Sequence, residues 1–334
     1  MTRSEASAGK EGWRSRRRLV PLLLSLAVIM GMVASCLLIL DLRAAVWRAL
    51  PALPGAVAIH VVQLFGAAMA WRGLFHAPLP GPWLMLRARW IRESLNGLLP
   101  MVGIGGGVLA AAAIARQTGR PFAGTAAGAT ADLAVETVAQ LPFLVLGLVL
   151  FSLLAPEALP LAHAAVLLMP IALATLVFVG LWRGIGRALI LQALGRIGLA
   201  GRIEALRGSL DVINGGARPV LAGVAWHFLA WALGAVEIWL IFAVLGVPVS
   251  LAEAYVIEAL GMGARSLGFL VPAGLGAQEA GLVAVSVALG VPLEQSIAMS
   301  MLKRLREVVM GVPGLLAWRW LEQRSGEAAG PRAS

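Results

Sequence analysis

The sequence contains little of what redox and metal-dependent enzymes use. Its 334 residues include one cysteine, one tyrosine and four histidines, and only 13% of them are charged. The single cysteine, Cys36, excludes an intrachain disulfide framework and a cysteine-based metal site. The histidines (His60, His76, His163 and His227) are scattered, and no HExxH or other metal-ligand spacing is present. We therefore predict no metal and no cofactor.

Signatures of catalysis are also missing. The glycine-rich stretch Gly103-Ile104-Gly105-Gly106-Gly107 lacks the Lys-Ser or Lys-Thr of a nucleotide-binding loop and follows no predicted strand. Ser94 and Ser266 have no evident histidine base that would make either a nucleophile. The sequence therefore predicts no catalytic residues and no enzyme activity.

Apolar residues dominate instead. They make up 60% of the chain, and the mean hydropathy is +0.87. Apolar runs of spanning length recur from end to end, which predicts an all-α polytopic membrane helix bundle. The net charge is +10, but the arginines cluster at the ends of apolar runs. This is the positive-inside pattern of membrane proteins, so we expect contact with anionic lipid and no nucleic-acid partner.

The distribution of arginines divides the chain into five parts. We predict a cytoplasmic basic tail (1–18), a first membrane half (19–182), a cytoplasmic Arg-rich link (183–218), a second membrane half (219–320) and a C-terminal tail (321–334). Both termini are expected in the cytoplasm of a bacterial inner membrane. Within the first half, Asp41–Leu53 is expected to be a short external link.

An internal repeat relates the two halves. The matching positions are Ser94 with Ser266, Pro100 with Pro272, Glu136 with Glu307, and Pro142 with Pro313. The first two pairs are 172 residues apart and the last two are 171 apart. Interrupted apolar segments at corresponding places in two halves are typical of transporter binding sites.

Each interrupted segment is expected to be a re-entrant, broken-helix hairpin. The hairpins comprise residues 84–115 and 251–290, and their predicted hinge residues are Pro100, Gly103, Pro272, Gly274 and Gly276. The pieces of the first hairpin are about sixteen residues long, or about 24 Å as helix, which is short for a ~30 Å membrane core. The first hairpin enters from the cytoplasm and the second from the opposite face, so the repeats would be inverted. If each piece spans the membrane fully, the argument that the two segments enter from opposite faces no longer holds.

Charged residues inside the apolar runs should face the bundle interior and pair, or bind a charged ligand. Asp132 and Glu136 lie four apart on one face of the run Phe122–Ala155, which Pro142 is expected to interrupt. In the repeat register they correspond to a basic cluster, Lys303 to Arg306, followed by Glu307. His60 and Gln63 also share a face, and His60 is expected to form a hydrogen bond between helices.

These charges predict a polar cavity whose arginines match the oxygens of a phosphate. The alternative is a structural network of ion pairs. The candidate substrate-binding residues are Arg92, Glu93, Ser94, Asn96, Asp132, Glu136, Arg265, Ser266, Gln278, Glu279, Lys303, Arg304, Arg306 and Glu307.

Three stretches resemble a known family. They are Arg265–Glu279, Leu302–Glu307 followed by Gly311–Trp318, and Arg92–Asn96 with Pro100 and Gly103. The chain is similar, over roughly residues 20 to 320, to the flippase-like transmembrane domain of lysylphosphatidylglycerol synthases. It looks closest to the hopanoid-biosynthesis-associated branch of stand-alone members. The resemblance implies translocation of lipid between leaflets. No synthase domain follows Trp320, so aminoacyl transfer is not expected.

Two other functions stay open at this stage. The chain could be a membrane scaffold that does not transport, or an enzyme subunit in hopanoid or isoprenoid lipid synthesis. The expected partners are membrane lipids, either an anionic phospholipid or a hopanoid, and lipid-synthesis enzymes. The sequence does not indicate the cargo, the direction, the energy source or the oligomeric state.

Overall fold

The computed structural model describes residues 40–98, 105–157, 168–169, 171–176, 180, 216–267 and 276–327, and all regular structure in these residues is helical. We number the helices α1 Leu40–Ala49, α2 Leu53–Arg72, α3 Pro82–Leu98, α4 Gly105–Thr118, α5 Phe122–Leu154, α6 Ala217–Leu245, α7 Leu251–Leu267, α8 Ala277–Ala288 and α9 Leu293–Glu327. The predicted basic tail, the first span, most of the Arg-rich link and the hinge residues Pro100, Gly103, Pro272 and Gly274 lie outside the described residues.

Three stretches of the described chain are long and apolar enough to cross a membrane. They are Leu42–Arg72, Phe122–Leu154 and Ala217–Leu245. The first of them includes most of the predicted link Asp41–Leu53, which is helical. Helix α1 passes through a short 3-10 turn, Leu50–Ala52, directly into α2. The protein is thus an all-α membrane protein, as the composition predicted.

Proline and glycine set several helix ends. Pro54 lies in the first turn of α2, where its missing N–H has no intrahelical partner to lose. Helix α6 ends at Gly246, whose φ of +72° is the left-handed conformation favoured at helix C-termini.

Pro142 does not interrupt its helix, contrary to the prediction from the sequence. Helix α5 continues through Pro142 for 33 residues, and α9 likewise contains Pro313. Proline within a membrane helix is tolerated where neighbouring helices and local adjustments compensate for the lost hydrogen bond.

Two helix starts in the second half keep the offset of the predicted repeat. Gly105 and Ala277, which begin α4 and α8, are 172 positions apart. Phe122 and Leu293, which begin α5 and α9, are 171 positions apart. The starts of α4 and α5 therefore correspond to those of α8 and α9.

The packing brings the halves together. Helices α2 and α6 lie side by side, and Gly66 of α2 brings the backbones close because a Cβ there would contact Trp226 and Ala230 of α6. Helix α3 packs against α4 of its own half and α9 of the other. Helix α7 likewise packs against α8 and against α5. Each half therefore contacts the other through the first helix of its hairpin segment.

Two buried apolar clusters lie at opposite ends of α2. We call the first the α3–α4 cluster; it includes Trp71, Phe75, Met85, Ile114 and Ala129. We call the second the α7–α8 cluster; it includes Ala49, Phe242, Val249, Leu282 and Val291, with Leu53 packed against it. Helix α2 has 20 residues, which corresponds to about 30 Å, and the two clusters lie towards its opposite ends.

Candidate functional site

A cluster of ion pairs is buried between α3 and α5. Arg92 Nη2 donates to Glu136 Oε2 at 2.8 Å, and Arg92 Nη1 donates to Asp132 Oδ2. Arg89 Nη2 donates to Glu136 Oε1 at 3.0 Å, and its Nη1 donates to Asp132 Oδ2 at 3.1 Å. Both arginines and Asp132 are buried. We call these four residues the α3–α5 ion cluster.

The helical repeat explains why these side chains meet. Arg89 and Arg92 are three residues apart and Asp132 and Glu136 are four apart, so each pair lies on one helix face. His227 of α6 completes the cluster, because its Nε2 lies 3.1 Å from Asp132 Oδ1. All four carboxylate oxygens of Asp132 and Glu136 therefore have partners.

Three residues here, among those that the structure describes, are spaced closely enough to hold a metal ion. Ligand atoms of Asp132, Glu136 and His227 lie within 4.8 Å of one another. A cation there would have to displace the guanidinium groups of Arg89 and Arg92, which already neutralise the two carboxylates. This geometry favours an ion-pair cluster over a metal site.

A second cluster, which we call the α6–α9 ion cluster, joins the helices of the second half. Lys303 Nζ donates to Glu258 Oε2 of α7 at 2.6 Å and lies 3.8 Å from Glu237 Oε2 of α6. Arg306 Nε donates to Glu237 Oε1 at 3.0 Å. Lys303, Arg306 and Glu237 are buried, so these charges are shielded from solvent by the surrounding helices.

His60 of α2 connects the two ion clusters. Its Nδ1 accepts a hydrogen bond from Arg306 Nη1 and lies 2.8 Å from Gln63 Oε1. Its Nε2 lies 3.6 Å from Glu93 Oε2, and Glu93 accepts a hydrogen bond from Arg89 at 2.9 Å. A continuous chain of polar side chains therefore runs from Asp132 in one half to Glu258 in the other. The hydrogen bonding predicted for His60 is confirmed.

A third group of charges lies at the start of α8. Arg304 Nη1 donates to Glu307 Oε2 on its own helix, and Arg304 Nε lies 3.7 Å from Glu279 Oε1. Glu279 Oε2 accepts the backbone N–H of Gly276 at 2.9 Å. Arg265 Nη1 donates to Gln278 Oε1 at 3.0 Å. The predicted hinge Gly276 has a φ of +85° immediately before α8.

The remaining predicted residues form hydrogen bonds between or within helices. Asn96 Oδ1 accepts the backbone N–H of Gly106 at 3.1 Å, which ties α3 to α4. Ser266 Oγ accepts a hydrogen bond from Gln140 Nε2 of α5 at 2.7 Å. Ser94 Oγ donates to the Trp90 carbonyl of its own helix at 2.8 Å. These polar groups lie outside the buried ion clusters.

Several members of the network were not among the sequence candidates: Arg89, His60, His227, Glu237 and Glu258. Arg89 lies among arginines that the positive-inside rule counts only as markers of the cytoplasmic side, yet it is buried. It lies three residues before Arg92 on the inner face of α3, whereas Arg87 is exposed. Glu258 is an acid inside an apolar helix. The free-energy cost of placing an acid in a membrane is the signal in the sequence that could have identified it as a member of the network.

The fold and the site define a polytopic α-helical membrane protein with a buried ion cluster in each of its two halves. A family model described as the lysylphosphatidylglycerol synthase TM region matches residues 13–314, and the chain belongs to this family. A search of curated proteins and a search of solved structures found no match to the chain.

Proposed function

We propose that the protein is a flippase-type carrier that moves a phospholipid or a hopanoid-type lipid between the leaflets of the bacterial inner membrane. The observation that carries this proposal is the chain of buried and partly buried polar side chains from Asp132 to Glu258. An ionisable side chain in the apolar core costs about 2.5–3.5 kcal/mol on insertion scales, and such groups commonly mark substrate pathways. The lipid headgroup would use this polar route while its apolar body stays in the hydrocarbon.

The two hairpin segments supply the gates in this proposal, as inverted, re-entrant repeats. The base of the first segment is marked by Arg120, whose Nη2 donates to the His76 carbonyl at 3.3 Å, so the end of α4 lies beside the start of α3. Val249 and Val291, at the base of the second segment, share the α7–α8 cluster. Because the two clusters lie at opposite ends of α2, their positions support entry from opposite faces.

Contacts between the halves would couple the two gates. Trp90 Nε1 of α3 donates to the Met310 carbonyl of α9 at 2.8 Å. The Tyr255 hydroxyl of α7 donates to the Phe143 carbonyl of α5 at 3.1 Å. A displacement of either long helix would therefore move the hairpin segment of the other half, as alternating access requires.

We propose a carrier and not an enzyme. The serines beside the hairpin tips already form hydrogen bonds to the Trp90 carbonyl and to Gln140, which supports a structural use of both hydroxyls. Both termini are proposed to be cytoplasmic from the arginine distribution. Membrane lipids are the proposed partners, with lipid-synthesis enzymes as further candidates and no nucleic acid.

Reconstitution tests the carrier directly. Purified protein in proteoliposomes would be offered fluorescent phospholipids and a labelled hopanoid, and translocation would be followed by loss of accessibility to a quencher. Wild type should move at least one lipid, and His60→Ala, which interrupts the polar route between the two ion clusters, should abolish the movement in a protein that still folds. Arg319→Ala, which alters an exposed arginine of α9, is the control and should transport normally. If a folded wild type moves no lipid offered, the carrier proposal fails and the scaffold or enzyme-subunit alternative gains weight.

Cysteine labelling tests the inverted hairpins separately. Single cysteines would replace His76, Gln117, Ser250 or Glu294, all exposed, in a Cys36→Ser background. A membrane-impermeant maleimide should label the first two positions from the cytoplasmic face and the last two from the opposite face. Labelling of all four positions from one face would refute the inverted arrangement.

A further inference from the structure

Arg304 is a buried guanidinium with an unused pair of donors. The residue is 7% exposed, and Glu307 accepts from its Nη1. Its Nε and Nη2 are buried and have no hydrogen-bond partner among the residues that the structure describes. The nearest carboxylate oxygen to Nε, from Glu279, lies 3.7 Å away. A buried donor without an acceptor costs about 1–3 kcal/mol, and more when it is charged.

The two unused donors have the geometry of a fork that can bind an oxyanion. In a planar guanidinium, Nε and Nη2 donate along one edge as a fork. Such a fork matches two oxygens of a phosphate or carboxylate and binds them bidentately. Glu307 accepts from Nη1 on the other edge of the guanidinium, so the Nε–Nη2 edge of Arg304 is available to a ligand.

The fork lies at the first turn of α8, which has 12 residues. The approach of Arg304 Nε to Glu279 places the guanidinium there, and Arg265 reaches the same turn through its bond to Gln278. The first N–H groups of a helix have no intrahelical acceptor and carry a partial positive charge, so they attract oxyanions. Two guanidinium groups and a helix N-terminus therefore converge on one place.

The α3–α5 ion cluster has a different character. Every carboxylate oxygen of Asp132 and Glu136 has a partner, and Arg89 and Arg92 each donate to both acids. This cluster offers no open donor edge comparable to that of Arg304. The two halves therefore differ in the donors that they can offer to a ligand.

We propose that the Nε–Nη2 fork of Arg304, at the N-terminus of α8, binds a phosphate oxyanion, while the α3–α5 ion cluster is structural. The proposal rests on the proposed lipid carrier for the source of that oxyanion, a phospholipid headgroup. Free phosphate has the same chemistry and is the second source to be distinguished.

Binding measurements test the subsite without requiring transport. The full chain in a neutral maltoside detergent would be titrated with phosphatidylglycerol, diacylglycerol and inorganic phosphate, with thermal unfolding as the readout. Phosphatidylglycerol should raise the Tm and diacylglycerol should not. Arg304→Lys keeps the charge but loses the fork, and it should weaken phosphatidylglycerol binding at least tenfold. Arg319→Lys, the same change at an exposed position of α9, should leave binding unchanged.

A second variant separates binding from a purely structural role. Glu279→Gln removes a negative charge near the fork and keeps an acceptor for the Gly276 N–H, so it should tighten phosphatidylglycerol binding at least threefold. A Tm increase with inorganic phosphate alone would identify free phosphate as a ligand of the same site; an increase with only the lipid would identify the headgroup. Equal stabilisation by diacylglycerol, or unchanged binding in Arg304→Lys, would overturn the proposal. Binding that depends on Arg304 without translocation in proteoliposomes would instead refute the carrier and leave the subsite standing.

Discussion

Lys303 Nζ donates to Glu258 Oε2 at 2.6 Å, so the second half has its base on the long helix α9 and its acid on the hairpin helix α7. The first half has the opposite arrangement, with Arg89 and Arg92 on the hairpin helix α3 and the acids on the long helix α5. Lys303 lies 171 positions after Asp132. The ion pairs of the halves are thus exchanged in sign, and neither half needs the other to neutralise its charges.

Lys303→Met should destabilise the protein strongly. It leaves Glu258 without its cation and removes the charge near Glu237, and an uncompensated buried charge costs about 3–5 kcal/mol. The double variant Lys303→Met with Glu258→Leu should recover most of this loss, since both charges are then absent. Unfolding in a mild detergent, followed by Tm and denaturant titration, measures both effects. Glu294→Met, at an exposed position of α9, should change stability by no more than about 0.5 kcal/mol.

Arg92→Lys should lower stability although the charge is kept. An ammonium group cannot donate in fork geometry to Asp132 and Glu136 together, and hydrogen bonds to charged groups contribute about 1.5–3 kcal/mol each. Arg87→Lys is the matched control, because Arg87 is exposed on the same helix. If Arg92→Lys unfolded like wild type but lost lipid binding, the α3–α5 ion cluster would be the ligand site and its structural assignment would be wrong.

The sequence predicted the class of protein better than it predicted the partners in the ion pairs. Apolar run length and the matching prolines depend on local composition, which the chain displays directly. Partner choice depends on which helix faces meet after packing. The positive-inside rule treats Arg87 and Arg89 alike, and only the helical register shows that Arg89 faces inward with Arg92.

Glu258 illustrates the same limit. Its helix is apolar apart from a few groups, and one acid alone does not reveal its cation. The three basic residues between Lys303 and Arg306 outnumber the one acid that follows them, Glu307, and counting these charges could have directed attention to Glu237 and Glu258. To pair Glu258 with Lys303 one must also know that α7 contacts α9. The spacing of residues along the sequence does not show this contact.

Gly147→Ala should destabilise the contact between α5 and α7. A Cβ at Gly147 would collide with the Ala259 Cβ, and overpacking of this kind costs about 1–3 kcal/mol. Gly124→Ala lies in the same helix with open space around the new Cβ, so it should be neutral or stabilising by up to about 1 kcal/mol. Equal Tm values for the two variants would show that α5 and α7 do not approach as closely as the structure has them.

Linking α5 to α7 should leave lipid translocation unchanged, because the coupling proposed for the two gates requires these helices to move together. The Gln140 and Ser266 side chains meet across this contact at 2.7 Å, so cysteines at both positions, in a Cys36→Ser background, can be joined by a short reducible thiol-reactive linker that replaces the length of the glutamine side chain. Translocation in proteoliposomes by the linked protein should stay within about twofold of the rate measured after the linker is reduced. Each single cysteine variant should be unaffected by the reagent. A tenfold fall on linking that reverses on reduction would contradict the proposed coupling, because α7 would then have to move against α5.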